Sequence, residues 1–241
     1  MQKESVELLD NIRHKDVTVD NNLFDIPANH VNTVYIVMTE LANLVHEYPI
    51  FITKQPNSEA FGLNALLGLH PGENLYLQNG QWDARYLPLD ILRKPFQAVL
   101  AKQDDFSQGN IAIDLSSPQV TSKKGEALYD ESGQATPYLE RIKQTFTQLM
   151  GAMDYTNKRL QRMAELGLIQ AITLQFDDIS GEKTSLNGLH SINKDALAAL
   201  SGSELEEAHK DGILQICHLI MSSGAHVQKL INWSKQKEQV K

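Results

Sequence analysis

The sequence predicts a single α+β domain, in which a mostly antiparallel β-sheet region is followed by a helical C-terminal half with one β-hairpin. Three observations predict this class. Short β-branched runs alternate with turn signals up to residue 135, an apolar seam with spacings of three and four runs from Leu139 to Met163, and residues 168–189 have a strand–turn–strand pattern. The chain has 241 residues, of which 41% are hydrophobic, so it is long and apolar enough to bury a core.

The first 30 residues are polar and rich in Asn and Asp, and we expect them to form an irregular arm. The domain then spans 31–234, with a β-rich part over 31–135. Asn79-Gly80 predicts a type I′ hairpin turn, because both central residues of that turn take positive φ. Apolar runs mark the other candidate strand segments, which are Val34–Met38, Ile50–Ile52, Phe61–Leu69, Asn74–Leu77, Gln97–Ala101 and Ile111–Leu115.

The helix-rich part covers 136–234 and begins with a helix of about 30 residues. Thr136 is a suitable N-cap, Pro137 suits the first helical position and Gly167 suits the C′ position. Gly151 lies off the apolar seam, so we expect a kink or break in the helix there. The segment before this helix, 116–135, is predicted to be a polar connector with one turn.

Further helices are predicted after the hairpin. Asn193 is a suitable N-cap for a short helix, and Ser203 with Glu206 has the spacing of a capping box for the next one. A final helix is expected to kink at Gly224, and residues 235–241 form a basic tail. The apolar stripe of the final helix consists of Ile213, Ile216, Ile220, Val227 and Ile231.

Charge and cysteine content exclude several classes of protein. Lys and Arg number 22 against 30 Asp and Glu, a net charge of −8, so we expect no nucleic-acid partner. The single cysteine, Cys217, excludes an internal disulfide and a zinc site of several thiolates. No apolar run has the length of about 20 residues that a transmembrane helix needs, and the N-terminus lacks the pattern of a signal peptide. We therefore expect a cytoplasmic protein, with export by a route without such a signal left open.

Four groups of short segments resemble the bacterial SapC-like family over about residues 30–232. The most specific is Trp82–Tyr86, and one departure from the family pattern is Ala112, where members often have cysteine. A second departure is Leu92-Arg93-Lys94, which replaces aromatic and arginine positions. The matching segments are Glu47–Ile50, Leu66–Leu69, Gly72–Leu75, Gly80–Pro88, Lys94–Phe96, Ile113–Asp114, Ser117–Pro118, Gly125–Asp130 with Gly133, and Leu186–Leu189 with Leu197, Leu200, Gly212 and Leu214.

The resemblance implies a biological setting for the protein but no particular reaction. The family takes its name from a crystalline bacterial surface layer, and members are reported beside tryptophan halogenases, cupin-like oxygenases and outer-membrane receptors. No catalytic residues are established for the family, so none can be transferred to this chain. A peptide-transporter permease subunit has the same name, but the hydropathy of this chain excludes that meaning.

The candidate ligand-binding residues are Trp82, Asp83, Arg85 and Tyr86. An aromatic plate, a carboxylate and a guanidinium within five residues suit stacking on a peptide or sugar with bidentate hydrogen bonds. The structural alternative is an Asp–Arg pair that closes a turn, with both aromatic rings in the core. If the chain is an enzyme, its candidate catalytic residues are Asp83, Arg85 and Asp114, the last at a strand end.

No metal site and no cofactor are predicted. His209, His218 and His226 lack the i, i+4 spacing of a metal pair on a helix. The acidic loops Asp104-Asp105 and Asp177–Glu182 lack the ligand spacing of an EF-hand, so they are read as solvated turns, with opportunistic calcium binding as the alternative.

The long helix has a second interpretation besides packing on its own domain. Its heptad-like seam is suitable for pairing with another copy, which would make a homodimer. The candidate self-association residues are Leu139, Ile142, Phe146, Leu149 and Met153.

These observations favour a non-enzymatic function. Our hypothesis is a SapC-like accessory or binding protein that acts on a peptide or protein partner in a surface-layer or nutrient-uptake system. One alternative is a peptide-modifying enzyme, or its accessory subunit, that works with oxygenase or halogenase enzymes. Another is a self-assembling structural subunit of the surface layer.

Overall fold

A computed structural model describes residues 5–55, 58–99, 110–121, 124–177 and 181–239. The α+β class is confirmed, with antiparallel sheets and a helical C-terminal half. The chain divides into two compact units. Each unit is assembled from three separate segments, and local periodicity carries no information about which segments pack together. Unit 1 comprises Met1–His30, Leu77–Asp83 and Leu89–Gly151, and unit 2 comprises Val31–Tyr76, Ala84–Pro88 and Ala152–Lys241.

The chain contains both strands and helices, as an α+β protein does. The described strands are β1 (Val6–Leu8), β2 (Thr18–Val19), β3 (Thr33–Tyr35), β4 (Ile50–Lys54), β5 (Phe61–Leu66), β6 (Leu77–Gln78), β7 (Gln81–Trp82), β8 (Phe96–Val99), β9 (Asn110–Asp114), β10 (Val120–Thr121), β11 (Glu126–Ala127), β12 (Ile169–Asp177) and β13 (Lys183–Ile192). The described α-helices are α1 (Leu41–Leu44), α2 (Leu89–Leu92), α3 (Pro137–Glu165), α4 (Lys194–Ala199), α5 (Gly202–Lys210), α6 (Ile213–Ser223) and α7 (Val227–Gln239). Short 3₁₀ turns lie at Pro27–Asn29, Met38–Glu40 and Gly224–His226.

Unit 1 contains two small sheets and one tight hairpin. The sheets have the orders β1-β9-β8 and β10-β2-β11, and β6 pairs with β7. The expectation that 1–30 is irregular is therefore wrong for β1 and β2, which are too short to show a periodic pattern. The polar connector 116–135 likewise contains β10 and β11. The core of unit 1 is a cluster that includes Val19, Phe96, Ile113, Leu128, Tyr138, Leu139, Ile142 and Phe146.

Unit 2 is built on an antiparallel sheet with the order β12-β13-β4-β5-β3. Helix α6 packs on β13 and β4 through a buried face spaced at three and four residues. Its last residue completes the contact, because the Ser223 hydroxyl accepts a hydrogen bond from the Ile50 N–H at 2.9 Å. The buried residues of that face are Ile213, Ile216, Cys217, Ile220 and Ser223.

The long helix α3 begins and ends as predicted. The Thr136 hydroxyl accepts a hydrogen bond from the Leu139 N–H at 3.3 Å, as an N-cap does. At the other end Gly167 has a φ of 67°, and the Leu168 N–H donates to the Met163 carbonyl at 2.9 Å, which is a Schellman motif. The predicted break at Gly151 is absent, since α3 is continuous through it. The division between the units falls directly after that residue.

Other local predictions have mixed outcomes. The Asn79-Gly80 turn is confirmed, with φ values of 51° and 76°. The helical interruption at Gly224 is confirmed as a 3₁₀ turn. The capping box of Ser203 is wrong, because α5 starts at Gly202 and a residue inside a helix lacks the extended backbone of an N-cap. The acidic residues Asp104, Asp105 and Asp178 lie outside the described residues.

Two glycines of α3 and its C-terminus make a matched test of these assignments. An added Cβ meets no heavy atom within 4 Å at either Gly151 or Gly167, but only Gly167 has a positive φ. We expect Gly151→Ala to raise the free energy of unfolding by about 1 kcal/mol and Gly167→Ala to lower it by about 1 kcal/mol. Urea unfolding followed by circular dichroism measures both changes, and shifts of the same sign would contradict the helix boundaries.

Candidate functional site

The division into units separates the residues of the Trp82–Tyr86 block. Trp82 and Asp83 belong to unit 1, and Arg85 and Tyr86 belong to unit 2. Trp82 is only 8% exposed, and its ring lies 6.3 Å from the ring of Phe24 at an angle of 60°. Asp83 follows it as an exposed residue. The Trp82 ring therefore packs in the interior of its unit, as in the structural alternative.

The second half of the block, Arg85 and Tyr86, is bound by Glu47, which lies between α1 and β4. The Glu47 carboxylate accepts hydrogen bonds from the N–H groups of Arg85 and Tyr86, at 2.8 and 3.0 Å. This leaves the Arg85 and Tyr86 side chains on the outside, and Tyr86 is 42% exposed. Among the described residues of unit 2, the Arg85 guanidinium forms no ion pair. A fixed backbone with an outward guanidinium is suited to binding a carboxylate.

Tyr48 and Asn43 complete the support of Tyr86. The Tyr48 hydroxyl donates to the Tyr86 carbonyl at 2.5 Å, and the Asn43 side-chain amide donates to the Tyr86 hydroxyl at 2.7 Å. The Tyr48 ring is stacked on the ring of Tyr76 with centroids 4.5 Å apart. Both rings are fully buried, and buried tyrosines need hydrogen-bond partners for their hydroxyls.

The carbonyl of Glu47 is a second point of attachment. It accepts hydrogen bonds from the Tyr76 hydroxyl at 2.7 Å and from the Lys229 ammonium at 2.5 Å. Lys229 also lies 4.7 Å from the centroid of the Tyr76 ring and 4.8 Å from that of Trp233. We call this set the Glu47 cluster; it consists of Glu47, Tyr76, Lys229 and Trp233. None of these four residues was among the candidates predicted from sequence. Their sequence signal is the segment Glu47–Ile50, which matches the family pattern.

Asp114 is the last residue of β9 and has a local role. One of its carboxylate oxygens accepts hydrogen bonds from the Ser116 hydroxyl at 2.6 Å and the Ser116 N–H at 2.9 Å. Burial raises the pKa of Asp114, but the hydrogen bonds from Ser116 and Ser5 outweigh burial, so its pKa is below the usual value. In the described part of unit 1 no hydrogen bond joins Asp114 to Asp83.

The seam of α3 is used inside the chain. Leu139, Ile142 and Phe146 belong to the core of unit 1, Leu149 is also buried, and Met153 is half-buried. A homodimer through this seam would compete with the contacts that these side chains make inside the chain. Self-association through the seam stays a prediction.

In the described part of the chain, no group of three or more His, Cys, Asp or Glu side chains is placed to hold a metal ion. Burial raises the pKa of Cys217 to about 11, so its thiol is protonated and unreactive at neutral pH. His226 is half-buried and its Nε2 donates to the Val45 carbonyl at 3.0 Å.

Strand β12 has an open edge. It is the last strand of the five-stranded sheet, and in the part of the chain that the structure describes it pairs only with β13. Its nine residues contain a single charged side chain, Asp177, and no proline. Among the described residues, no backbone group pairs with its outer side. We call this side the β12 edge; the sequence predicts the hairpin but not its position at the margin of the sheet.

A β-bulge sets the course of the hairpin. The register moves from Ile172 opposite Leu189 to Leu174 opposite Leu186, so two residues of β13 face the single Thr173. The second of them, Gly188, has a φ of 80°, which only glycine adopts readily. Among the described residues, pairing of β13 with β4 reaches only Leu189 and His190, so there the hairpin beyond the bulge does not pair with β4. Because the extra residue is on β13, the β12 edge remains regular.

Comparison with known proteins assigns the chain to a family. The family model for SapC matches residues 9–230. The chain belongs to the SapC family. No curated protein and no solved structure matches this SapC-family chain. None of its described helices is both long and apolar enough to cross a membrane.

Glu47 gives a direct test of the cluster in this SapC-family protein. Glu47→Ala removes the acceptor of two backbone N–H groups, so we expect it to lower the free energy of unfolding by roughly 1–2 kcal/mol. Amide exchange at Arg85 and Tyr86 should accelerate, as measured by NMR. The control is Glu206→Ala, which breaks an exposed ion pair with Lys210 and should change neither quantity measurably. Unchanged exchange at both amides would refute the anchoring role.

His226 predicts a pH dependence of stability. Burial lowers the pKa of His226, the hydrogen bond to Val45 raises it, and nearby Lys229 lowers it, with a net decrease from 6.5. The unfolded state therefore takes up the proton first as the pH falls, so the contribution of His226 to stability is present above pH 6.5 and lost below it. We expect the wild type to lose stability relative to His226→Gln between pH 7 and pH 5 in urea titrations. A constant difference over this range would contradict the assignment.

Proposed function

We propose that this SapC-family protein is a binding module that takes an extended segment of a peptide or protein partner onto the β12 edge. The observation that carries the proposal is a nine-residue strand at the margin of the sheet whose outer backbone groups are unpaired among the described residues. An added strand would satisfy those N–H and C=O groups, which is how many proteins bind extended peptides.

The lack of protection at this edge supports the proposal. Proteins commonly shield edge strands with lysine, proline, inward charges or very short length. Strand β12 lacks lysine and proline, and its one charge is at its end. The opposite edge strand, β3, has only three residues and offers little to a partner. An unshielded long edge is a liability unless a partner uses it.

The side chains of β12 indicate which peptides would fit. Ile172, Leu174 and Phe176 lie on one face and are half-buried or buried, whereas Thr173 and Gln175 on the other face are exposed. A partner segment that alternates apolar and polar residues would extend the apolar face and the polar face of the sheet by one strand. A shallow depression lies at the Phe176 end of the strand. Residues that line it include His70, Phe176, Ile231 and Lys235.

The biological setting is part of the proposal and comes from the family. A partner in a surface-layer or nutrient-uptake system is the expectation that goes with the SapC assignment. The Arg85–Tyr86 surface is a second contact that the same experiment can test.

The test uses peptides selected from a random dodecapeptide library on the immobilised protein. Bound peptides should slow amide exchange in β12, and methylation of alternate peptide nitrogens should abolish binding while methylation of the intervening ones should not. We expect Leu174→Lys, which places a charge on the apolar face, to weaken binding about tenfold or more, equal to about 1.4 kcal/mol. The matched control Gln175→Lys should weaken it less than about threefold, or about 0.6 kcal/mol.

Several results would overturn the proposal. Failure to select peptides, or protection confined to other parts of the chain, would remove the β12 edge as the site. Loss of binding in Arg85→Ala or Tyr86→Ala with full binding in Leu174→Lys would move the site to the predicted block. A stable homodimer in which β12 of one copy is protected by β12 of another would replace the partner with self-assembly.

A further inference from the structure

Two Asn-Gly pairs occur in the chain, Asn79-Gly80 and Asn187-Gly188. An asparagine before glycine can react with its own backbone, because glycine has no Cβ to keep its nitrogen away from the amide carbon of the asparagine side chain. Both pairs lie in hairpins that the structure describes. Their surroundings differ, so one pair serves as the reference for the other.

The second pair lies in the β-bulge of strand β13. In the described pairing of β12 with β13, neither Asn187 nor Gly188 has a partner of its own, and both residues are exposed. Gly188 has a φ of 80°, and a Cβ added there would meet no heavy atom within 4 Å. Strand β4 pairs with β13 from Leu189 onward, so in the described structure it does not pair with the bulge. The bulge therefore has space for a ring to close between the two residues.

A hydrogen bond polarises the Asn187 amide. The Thr173 hydroxyl on β12 donates to Oδ1 of Asn187 at 3.1 Å. When a nucleophile attacks the side-chain amide carbon, negative charge develops on Oδ1, and a donor that is already in place stabilises that charge. The bulge therefore brings together an electrophilic carbon, the neighbouring backbone nitrogen and an oriented donor.

The first pair lacks these features. Asn79 has a φ of 51° in a two-residue turn, and the pairing of Gln78 with Gln81 begins directly beside it. Ring closure requires rotation about the backbone and side-chain bonds of the asparagine, and the adjacent pairing restrains that rotation. Among the described residues, no group donates a hydrogen bond to the Asn79 side chain. We therefore expect Asn79 to react more slowly than Asn187.

We propose that Asn187 is a modification site that deamidates without an enzyme, through a cyclic imide with Gly188. The backbone nitrogen of Gly188 loses its proton to solvent and attacks Cγ of Asn187, so a C–N bond forms. The bond from Cγ to Nδ2 breaks, and the nitrogen leaves with the electron pair and takes up a proton to become ammonia. Water, the only co-reactant, then opens the imide at either carbonyl and gives aspartate or isoaspartate.

The products change the hairpin in two ways. Either product places a negative charge opposite Thr173, and isoaspartate also lengthens the backbone by one methylene group within the bulge. Pairing of β12 with β13 beyond the bulge is then no longer in register. Loss of peptide binding at the β12 edge as the protein ages is the expected consequence. This consequence rests on the proposed function, whereas the deamidation itself does not.

The experiment follows both pairs in the full-length protein at neutral pH, with no peptide present. Samples taken over time are digested and analysed by mass spectrometry, and isoaspartate is separated from aspartate by chromatography. We expect Asn187 to react at least about fivefold faster than Asn79, which is the effect of one hydrogen bond. In urea, where both pairs are unfolded, the two rates should become similar.

Variants of the opposing threonine separate the hydrogen bond from the folding of the hairpin. Thr173→Val keeps the shape of the side chain and removes the donor, so we expect it to slow Asn187 about fivefold and leave Asn79 unchanged. Thr173→Ser keeps a donor and should retain the wild-type rate. The control Thr184→Val changes another threonine of the same hairpin and should affect neither pair.

Three results would overturn the proposal. They are an Asn187 rate equal to or below that of Asn79 in the folded protein, aspartate without isoaspartate as the product, and a rate in Thr173→Val that equals or exceeds that of the wild type. Peptide binding that persists in fully deamidated protein would refute the expected loss of binding alone.

Discussion

The architecture of unit 2 depends on hydrogen bonds to a single residue, Glu47. Its carbonyl accepts hydrogen bonds from Tyr76 and Lys229, and its carboxylate accepts hydrogen bonds from the backbone N–H groups of 85–86. Glu47 therefore joins its own segment to three others. A buried or half-buried polar group is costly unless it is satisfied, and Glu47 satisfies several groups at once. The stacked rings of Tyr48 and Tyr76, and the Lys229 ammonium over the Tyr76 ring, can therefore pack where water would otherwise be needed.

Local features of the fold were predictable because they depend on residues that are near in sequence. The cap at Thr136, the C′ glycine at Gly167 and the Asn79-Gly80 turn each need only a few neighbouring residues. The hairpin of β12 and β13 was predictable for the same reason. The division into two units was not, because it depends on pairings such as β1 with β9 that join segments far apart in the chain.

The candidate sites show the same limit. The Trp82–Tyr86 block was recognised from residue types, yet its first aromatic ring packs inside unit 1 while Tyr86 is exposed, and no sequence pattern distinguishes these fates. The openness of the β12 edge follows from what is placed beside the strand, not from the strand itself. The hydroxyl that donates to the Asn187 amide lies 14 residues earlier, on β12, and its position follows from a bulge that the sequence does not predict.

The segmented construction of unit 2 has a consequence for synthesis of the chain. Strand β4 needs helix α6, whose Ser223 hydroxyl lies 173 residues after Ile50, the residue it binds. At roughly 5–20 residues per second, a ribosome takes on the order of 10–35 s to make the missing partner. During that interval the apolar strands β4 and β5 have been translated but cannot complete their sheet. Nascent chains are thus candidates for protection by a chaperone. Unit 1, whose last segment ends at Gly151, is fully translated before α6 and can fold first.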